Sequence, residues 1–565
     1  MYIYLVNHCG VLQDYDRYST HPTSLVRTQS NHSPSVASDT MGTPENDSSI
    51  QEPVPLDKLE SNKVDIDIKS YENAANEATN LEHNLSVKEA FQMYPMAATW
   101  SVLFCLCIIM DGYDSDLITN LYGLPSFKRK YGVLFEGEYY VSAPWQTAFA
   151  MSSPVGRVLG GAIQGFVAEA YGRKRTLIGC LIIVTGFIFM TFFASTNIAL
   201  FVGEMLCGIV WGVLSSLAPT YASEVCPLRL RDILTAYVNL CWSTGQLIAT
   251  GVLAGYASNN TQWAYRIPFG LQWIWPVLIL TFAIRAPESP YWLVRHGKLE
   301  QAEAALRRLT RSDKVDIQQS LALIQRTNER ECEHQTQTSY LDCFRGTNLR
   351  RTEISAMAWA IQILSGLSLP FYAVVFFELA GFPTTQAFNM NVGMTALGFV
   401  ATCSSFFLIP RFGRRTLYFG GLCFLTALML LIGFLGIAPD HHSIVNAEAA
   451  LLIVWFFVYF LTVGPVAYVI FTETSSTRLR GHTVAIALIA YSLLGIVYNV
   501  ASPYLLSVSK ANLGAKTALI YGSISFLCCF WCYFRLPECK GRTFEELDIM
   551  FERRVPTSDF GNYII

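Results

Sequence analysis

The chain has 565 residues, of which 52% are apolar and only 15% charged, with a formal net charge of −3. Soluble domains carry roughly 25% charged residues, so this composition excludes a string of soluble domains. It also excludes a disordered chain, which needs low hydrophobicity, and no net field points to nucleic acid. The charges are clustered: residues 1–95 hold 20, residues 286–353 hold 21 and residues 535–565 hold 11, which leaves 31 for the other 371 positions. A spanning helix takes about 20 apolar residues, so this remainder has room for about twelve.

In chain order, the stretch Met1–Asp16 is too short in apolar residues for a signal peptide. Residues 1–95 read as a disordered acidic tail, with sequons at Asn31, Asn46 and Asn84 and a second Met at 41. Apolar runs follow at 97–124, 142–168, 176–194, 198–220, 233–256 and 267–285, forming an N-terminal six-helix bundle over 96–285. A charged linker spans 286–352, with an amphipathic helix pattern from Gly297 to Leu309. Six more runs, at 354–380, 388–409, 416–437, 449–472, 483–506 and 515–534, form the C-terminal bundle over 353–535, and 536–565 reads as a solvated tail. The expected fold is all-α, with twelve membrane helices.

Basic clusters at Arg173-Lys174-Arg175, Arg229/Arg231, Arg411/Arg414/Arg415 and Arg478/Arg480, together with the linker and the C-terminal tail, occupy alternate loops. By the positive-inside rule both termini are cytoplasmic. Lys128-Arg129-Lys130, after the first helix, is an exception on the outer side. The sequon Asn259-Asn260-Thr261 lies in an outer loop, and His441-His442 reads as a solvated loop. The 15 Cys residues mostly sit inside apolar runs and lack zinc-ligand spacing, so they read as small buried hydrophobes. No metal, cofactor or nucleophile–base constellation is expected.

The halves repeat. Tyr171-Gly172-Arg173-Lys174-Arg175-Thr176-Leu177 recurs as Phe412-Gly413-Arg414-Arg415-Thr416-Leu417, Glu224…Arg229-Leu230-Arg231 as Glu473…Arg478-Leu479-Arg480, and Pro287-Glu288 as Pro537-Glu538, at offsets of 241, 249 and 250. Parallel six-helix repeats of this kind are the major facilitator arrangement. Glu169, Arg173, Glu224 and Arg231 in one half, with Arg414, Glu473 and Arg480 in the other, are candidate members of a cytoplasmic gate latched by ion pairs.

With Pro287-Glu288-Ser289-Pro290-Tyr291-Trp292-Leu293 and Pro537-Glu538…Gly541-Arg542-Thr543, these motifs resemble the sugar porter family of the major facilitator superfamily. Met110-Asp111-Gly112-Tyr113-Asp114, Tyr221–Pro227 with Asn239–Gln246, Ser502-Pro503-Tyr504 and Tyr533–Asp548 resemble fungal maltose/α-glucoside permeases. The resemblance implies proton-coupled uptake of maltose or another α-glucoside by a monomeric multi-pass protein of the plasma membrane. Its partners would be the sugar, protons and the bilayer.

A sugar offers hydroxyls to amides and ring faces to aromatics. On the fifth helix Asn239, Trp242, Ser243, Gln246 and Thr250 share one face. Asn239, Gln246 and Gln362 match sugar-binding positions of relatives, and Tyr372, Tyr468, Tyr491 and Asn499 complete the candidate substrate site. Relatives often carry a second glutamine where Ile363 stands and an Asn where Ser368 stands.

Among the charges inside the helices, four are singled out: Asp111, Asp114, Arg157 and Glu204. Each costs roughly 2.5–3.5 kcal/mol to insert, so each is a proton-coupling candidate. The resemblance assigns coupling to Asp114, whose usual partner is an Arg at the position of Glu204, whereas maltose-type permeases usually carry an acid where Arg157 stands. The chain therefore reads as charge-swapped, with Arg157 expected to pair with Glu204 or Asp114. A hexose or polyol facilitator and a transporter-like sugar receptor are the alternatives; the short C-terminal segment argues against the receptor.

Overall fold

The computed structural model describes residues 85–565, apart from 136–137, 312–315, 334–339, 438–441, 476–478, 507–510, 512, 541, 543, 562 and 564–565, together with 73, 74 and 77. The sequons at Asn31, Asn46 and Asn84, Met41 and His441 lie outside the described residues. Twelve helices follow. In the first half they are α1 (Pro95–Gly123), α2 (Ala143–Tyr171), α3 (Arg173–Phe192), α4 (Asn197–Val225), α5 (Leu228–Tyr256) and α6 (Trp263–Ala283). In the second they are α7 (Gly346–Phe371), α8 (Thr384–Phe412), α9 (Arg414–Leu435), α10 (Ser443–Thr474), α11 (Arg480–Leu506) and α12 (Thr517–Arg535). Among the described residues, ten of these are long and apolar enough to cross a membrane. The other two, α2 and α5, are 29 residues each, and carry many of the buried polar side chains.

Most helices run a few residues past their apolar windows, because the backbone stays hydrogen-bonded where the side chains turn polar. Two helices of the second half are broken. In α7 the ladder widens over Ile363–Leu367 and Gly366 adopts φ 103°. In α10 it is interrupted at Thr462, just before Gly464-Pro465, because proline has no N–H to donate. Irregular backbone at membrane depth is tolerated only when buried in protein or lining a polar path.

The repeats have a structural reason. Gly172 and Gly413 each turn at φ 89° between consecutive helices, and a Cβ at either would fall within 2.6 Å of a Glu288 or Glu538 oxygen. Those carboxylates cap the next helix: Glu288 accepts the N–H of Arg173 at 2.8 Å and of Lys174 at 3.2 Å, and Glu538 accepts those of Arg414 at 2.9 Å and Arg415 at 3.0 Å. An anion at a helix N-terminus meets unpaired N–H groups and the positive end of the dipole.

Glycines also set the helix spacing. On α2, a Cβ at Gly156 would lie 2.2 Å from the Met205 oxygen and one at Gly160 2.0 Å from that of Ile209. On α4, Gly208 and Gly212 press on the Ser153 and Arg157 oxygens in the same way. These are two interlocked Gly-x-x-x-Gly stripes, a packing that brings backbones into contact. Gly112 of α1 and Gly245 of α5 repeat the contact, against the oxygens of Trp242 and Ile109.

On the face opposite Gly172 and Gly413, the halves are pinned together. Lys128, on a short helix (Pro125–Tyr131), pairs with Glu378 beyond α7 at 3.0 Å, and Asn391 of α8 donates to Asn120 of α1 at 3.0 Å. The exceptional basic cluster thus supplies a bond between the halves.

Two solvated segments are more ordered than expected. Val87–Met93 is a helix with a capping box at Ser86 and Glu89, so the acidic tail does not extend to residue 95. The C-terminal segment folds back: in the helix Phe544–Glu552, Leu547, Met550 and Phe551 are buried, and the Arg350 guanidinium lies over Phe551 and Phe560 while bonding the Val555 oxygen and Thr557. Its apolar residues had a partner surface that the charge count could not reveal. The linker includes the expected amphipathic helix, Leu299–Leu309, packed with Pro290–Arg295 and Ile317–Glu333 around Trp292, Leu293 and Ala302.

Replacing Gly212 by Val forces α2 and α4 apart and should lower stability by about 1–3 kcal/mol, the usual cost of overpacking. Gly186→Ala on α3, where an added Cβ meets nothing within 4 Å, is the control. The thermal midpoint of purified protein in detergent should fall for the first and not for the second.

Candidate functional site

The intramembrane charges lie on α1, α2 and α4. Arg157 forms an ion pair with Asp111 and donates to Ser115 Oγ at 2.5 Å. Asp111 and Ser115 are four residues apart and so share the face of α1 turned to α2. Asp114, three residues from Asp111, points about 60° away from it around the helix. It accepts from Trp211 Nε1 of α4 and from Gln272 Nε2 of α6, each at 2.8 Å. Glu204 is 1% exposed and its carboxyl stands against that of Asp114, within hydrogen-bonding reach. The expected pairing of Arg157 with Glu204 or Asp114 is therefore corrected: its acid is Asp111, because one face of α1 meets α2 and the adjoining face meets α4 and α6.

The amide stripe on α5 is buried and largely unsatisfied. Asn239 Nδ2, Trp242 Nε1 and both amide atoms of Gln246 have no protein partner. Elements of the other half close over it: a Cβ at Gly464 of α10 would come 3.6 Å from Asn239 Nδ2, and Phe371 of α7 lies 6.4 Å from the Trp242 ring. Gln362 Oε1 accepts from the Tyr459 hydroxyl at 2.9 Å, while the Tyr372 hydroxyl is buried without a partner. Tyr468 and Tyr491 pack edge-on against Trp359 at 5.3 and 5.4 Å, within electrostatic reach of the Asp111–Arg157 pair. Donors, acceptors and ring faces thus meet in one layer between the halves, a chemistry suited to a neutral polyol. Asn499 differs: its amide donates to the Ala150 oxygen of α2 at 3.1 Å, a tie between the halves.

At the Gly172/Gly413 face, Arg173 binds Glu224 in a two-pronged contact at 2.7 and 2.9 Å and Glu169 at 3.1 Å. Arg414 binds Glu473 at 2.6 and 3.1 Å. Each pair joins two helices of one half, so neither by itself spans the two bundles. The tight glycine turn directs each Arg back onto the helix end beside it. Arg231 and Arg480 stand at the starts of α5 and α11, and their side chains lie outside the described residues. Among the described residues, no three His, Cys, Asp or Glu side chains are placed to hold a metal ion.

Sequence reasoning passed over Ser115, Trp211, Gln272, Trp359 and Tyr459. Gln272 had a signal, an amide inside an otherwise apolar run. The others are ordinary residues of apolar helices, and only the packing gives them a role.

The chain matches the family described as sugar (and other) transporter over residues 100–551. It belongs to that family. The sugar transporter is 37% identical to a general alpha-glucoside permease of Saccharomyces cerevisiae over 517 residues, which cover 90% of this chain and 84% of the relative. It is 36% identical to the maltose permease MAL61 of the same organism over 495 residues, covering 86% and 80%. These relatives are permeases, not enzymes. In fold, the transporter resembles the proton:xylose symporter XylE bound to 6-bromo-6-deoxy-D-glucose, with a TM-score of 0.67, 22% identity, and coverage of 81% of this chain and 99% of that one. The major facilitator arrangement of two six-helix halves accounts for the repeats.

Arg157→Leu leaves Asp111 buried without its cation and should cost about 3–5 kcal/mol, as breaking one side of a buried pair does. Adding Asp111→Asn should recover most of the thermal stability of the detergent-solubilised protein. Adding Glu204→Gln instead should recover none.

Proposed function

We propose that this multi-pass transporter imports maltose or another α-glucoside together with protons, by alternating access. The observation that carries the reading is Gln246, which is 1% exposed yet has neither amide atom bonded to protein, on a stripe shared with Asn239 and Trp242. A buried amide needs a hydrogen-bonding partner, and a sugar diol supplies donor and acceptor together. The likeness to alpha-glucoside and maltose permeases supports the substrate class.

In this reading Asn239, Trp242, Gln246, Gln362, Tyr372, Tyr468 and Tyr491 line the sugar site, and Asn499 holds α11 against α2 beside it. The charged turns at Gly172 and Gly413 face the cytoplasm of a plasma-membrane monomer with both termini inside. The Arg–Glu pairs there stiffen each half's cytoplasmic rim, and Arg231 and Arg480 act with them in the gate. The pinned face, carrying Lys128–Glu378, is then outside, so this state is closed to the exterior.

Protons are carried at Asp114 and Glu204, which stand together without an ion-pair partner among the described residues. Asp111 and Arg157 form the balanced pair that links α1 to α2 and adjoins the sugar layer. One charge moving through 100 mV releases about 2.3 kcal/mol, enough for roughly 50-fold accumulation. A facilitator without coupling has one observation in its favour: Arg157 already neutralises Asp111.

Uptake of labelled maltose, sucrose, trehalose, isomaltose and glucose in a transport-deficient host tests both parts. Maltose or another α-glucoside should enter faster at pH 5 than at pH 7.5 and lose accumulation with an uncoupler. Uptake indifferent to both would refute coupling, and uptake of glucose alone would refute the substrate class. Gln246→Ala should raise KM on the order of tenfold, one hydrogen bond's worth.

A further inference from the structure

Asp116 belongs to none of the pairs above. It is 4% exposed on α1, and its Oδ2 is buried without a partner. Arg157 is engaged with Asp111 and Ser115, and Lys128 with Glu378. Asn120 Nδ2 donates to the Asp116 main-chain oxygen at 2.8 Å and also reaches the carboxyl, yet Oδ2 is left without a donor among the described residues.

Its position follows from helix register. Gly112, Asp116 and Asn120 recur every four residues and form one stripe on α1. One end is pressed on α5, where a Cβ at Gly112 would lie 2.3 Å from the Trp242 oxygen. The other end crosses to the second half through the bond from Asn391 of α8 to Asn120. Asp116 stands between them. As odd-numbered helices, α1 and α5 run in the same direction; Gly112 meets Trp242 and Gly245 meets Ile109 and Tyr113, so Asp116 lies within about one helical turn of the level of Gln246. One turn further, Thr250 of α5 bonds Thr395 of α8 at 2.9 Å. Asp111 and Asp114 face other helices, so Asp116 is chemically separate from the charged cluster.

A carboxyl this deeply buried is costly unless a donor reaches it. Gln246, within about a turn of it, offers a donor and an acceptor that no protein group among the described residues uses. We propose that Asp116 accepts a hydrogen bond from a sugar hydroxyl and forms, with Gln246, one subsite between α1, α5 and α8. It makes the carrier selective for substrates that present a hydroxyl donor at that point. The proposal rests on the sugar-transport reading above and adds a carboxylate to the amide and aromatic site.

The experiment measures inhibition of labelled maltose uptake by a series of monodeoxy maltoses, in cells expressing the wild type, Asp116→Asn or Asp116→Ala. In the wild type, the analogue lacking the hydroxyl that Asp116 receives should bind roughly ten- to hundredfold more weakly, the range for bonds to charged groups. In Asp116→Ala that penalty should vanish while the others persist, and KM for maltose should rise with kcat less affected. Penalties that run parallel in wild type and variants would overturn the proposal alone. Failure of the wild type to take up any α-glucoside would overturn the substrate reading and this proposal with it. If the variants do not reach the membrane, the purified wild type is labelled with an apolar carbodiimide and modification of Asp116 is followed by peptide mass spectrometry. Protection by maltose is expected, and unchanged labelling in saturating maltose refutes the contact.

Discussion

A polar group inside a membrane has no water to fall back on, so it must find its partner within the protein or from what the protein carries. This constraint sorts the interior of the transporter. Asp111 is met by Arg157, Asp114 by Trp211 and Gln272, and Gln362 by Tyr459. Asn239, Gln246 and Tyr372 retain atoms that no group among the described residues satisfies. The first group ties helices together, and the second is where the proposed substrate has something to bond. Such sorting requires close helices: the glycines of α2 and α4 allow backbone contact at the level of Arg157.

The two halves share a frame and divide the chemistry. The glycine turn, the arginine after it and the capping glutamate recur in both. The charges at membrane depth lie in the first half, whereas Trp359, Tyr459, Tyr468 and Tyr491 gather in the second. A duplicated scaffold has thus become an ionic half and an aromatic half, facing each other across the proposed sugar layer.

Much of this was legible in the sequence because membrane helices advertise themselves by length and by absence of charge. All twelve runs became helices, and Arg173–Glu224 and Arg414–Glu473 joined the residues that the repeats had singled out. What was not legible was azimuth. Asp111 and Asp114 share a face at the resolution of spacing alone, yet the 60° between them decides whether α2 or α4 is the neighbour. The identities of Trp211 and Gln272 as donors, and the docking of the C-terminal helix beneath Arg350, likewise depend on which surfaces the fold brings together. The roles of Glu288 and Glu538 were half visible: their spacing repeated, but that they close a helix end needed coordinates.

The ion pairs differ in how deeply they are set, and the difference bears on turnover. Arg173 and Glu224 are 6% and 11% exposed in their side chains and lie within one half, so a transport cycle never has to part them. Lys128 and Glu378 are 25% and 19% exposed and join opposite halves, so each opening toward that side must break them. A lysine offers a single point charge where arginine would offer a two-pronged grip, and a partly solvated pair of this kind is worth roughly 1 kcal/mol or less. At about tenfold in rate for every 1.4 kcal/mol, a buried arginine clamp in the same place would slow reopening by orders of magnitude. The ion pair that such an opening must break is built from the weaker cation, in the wetter place.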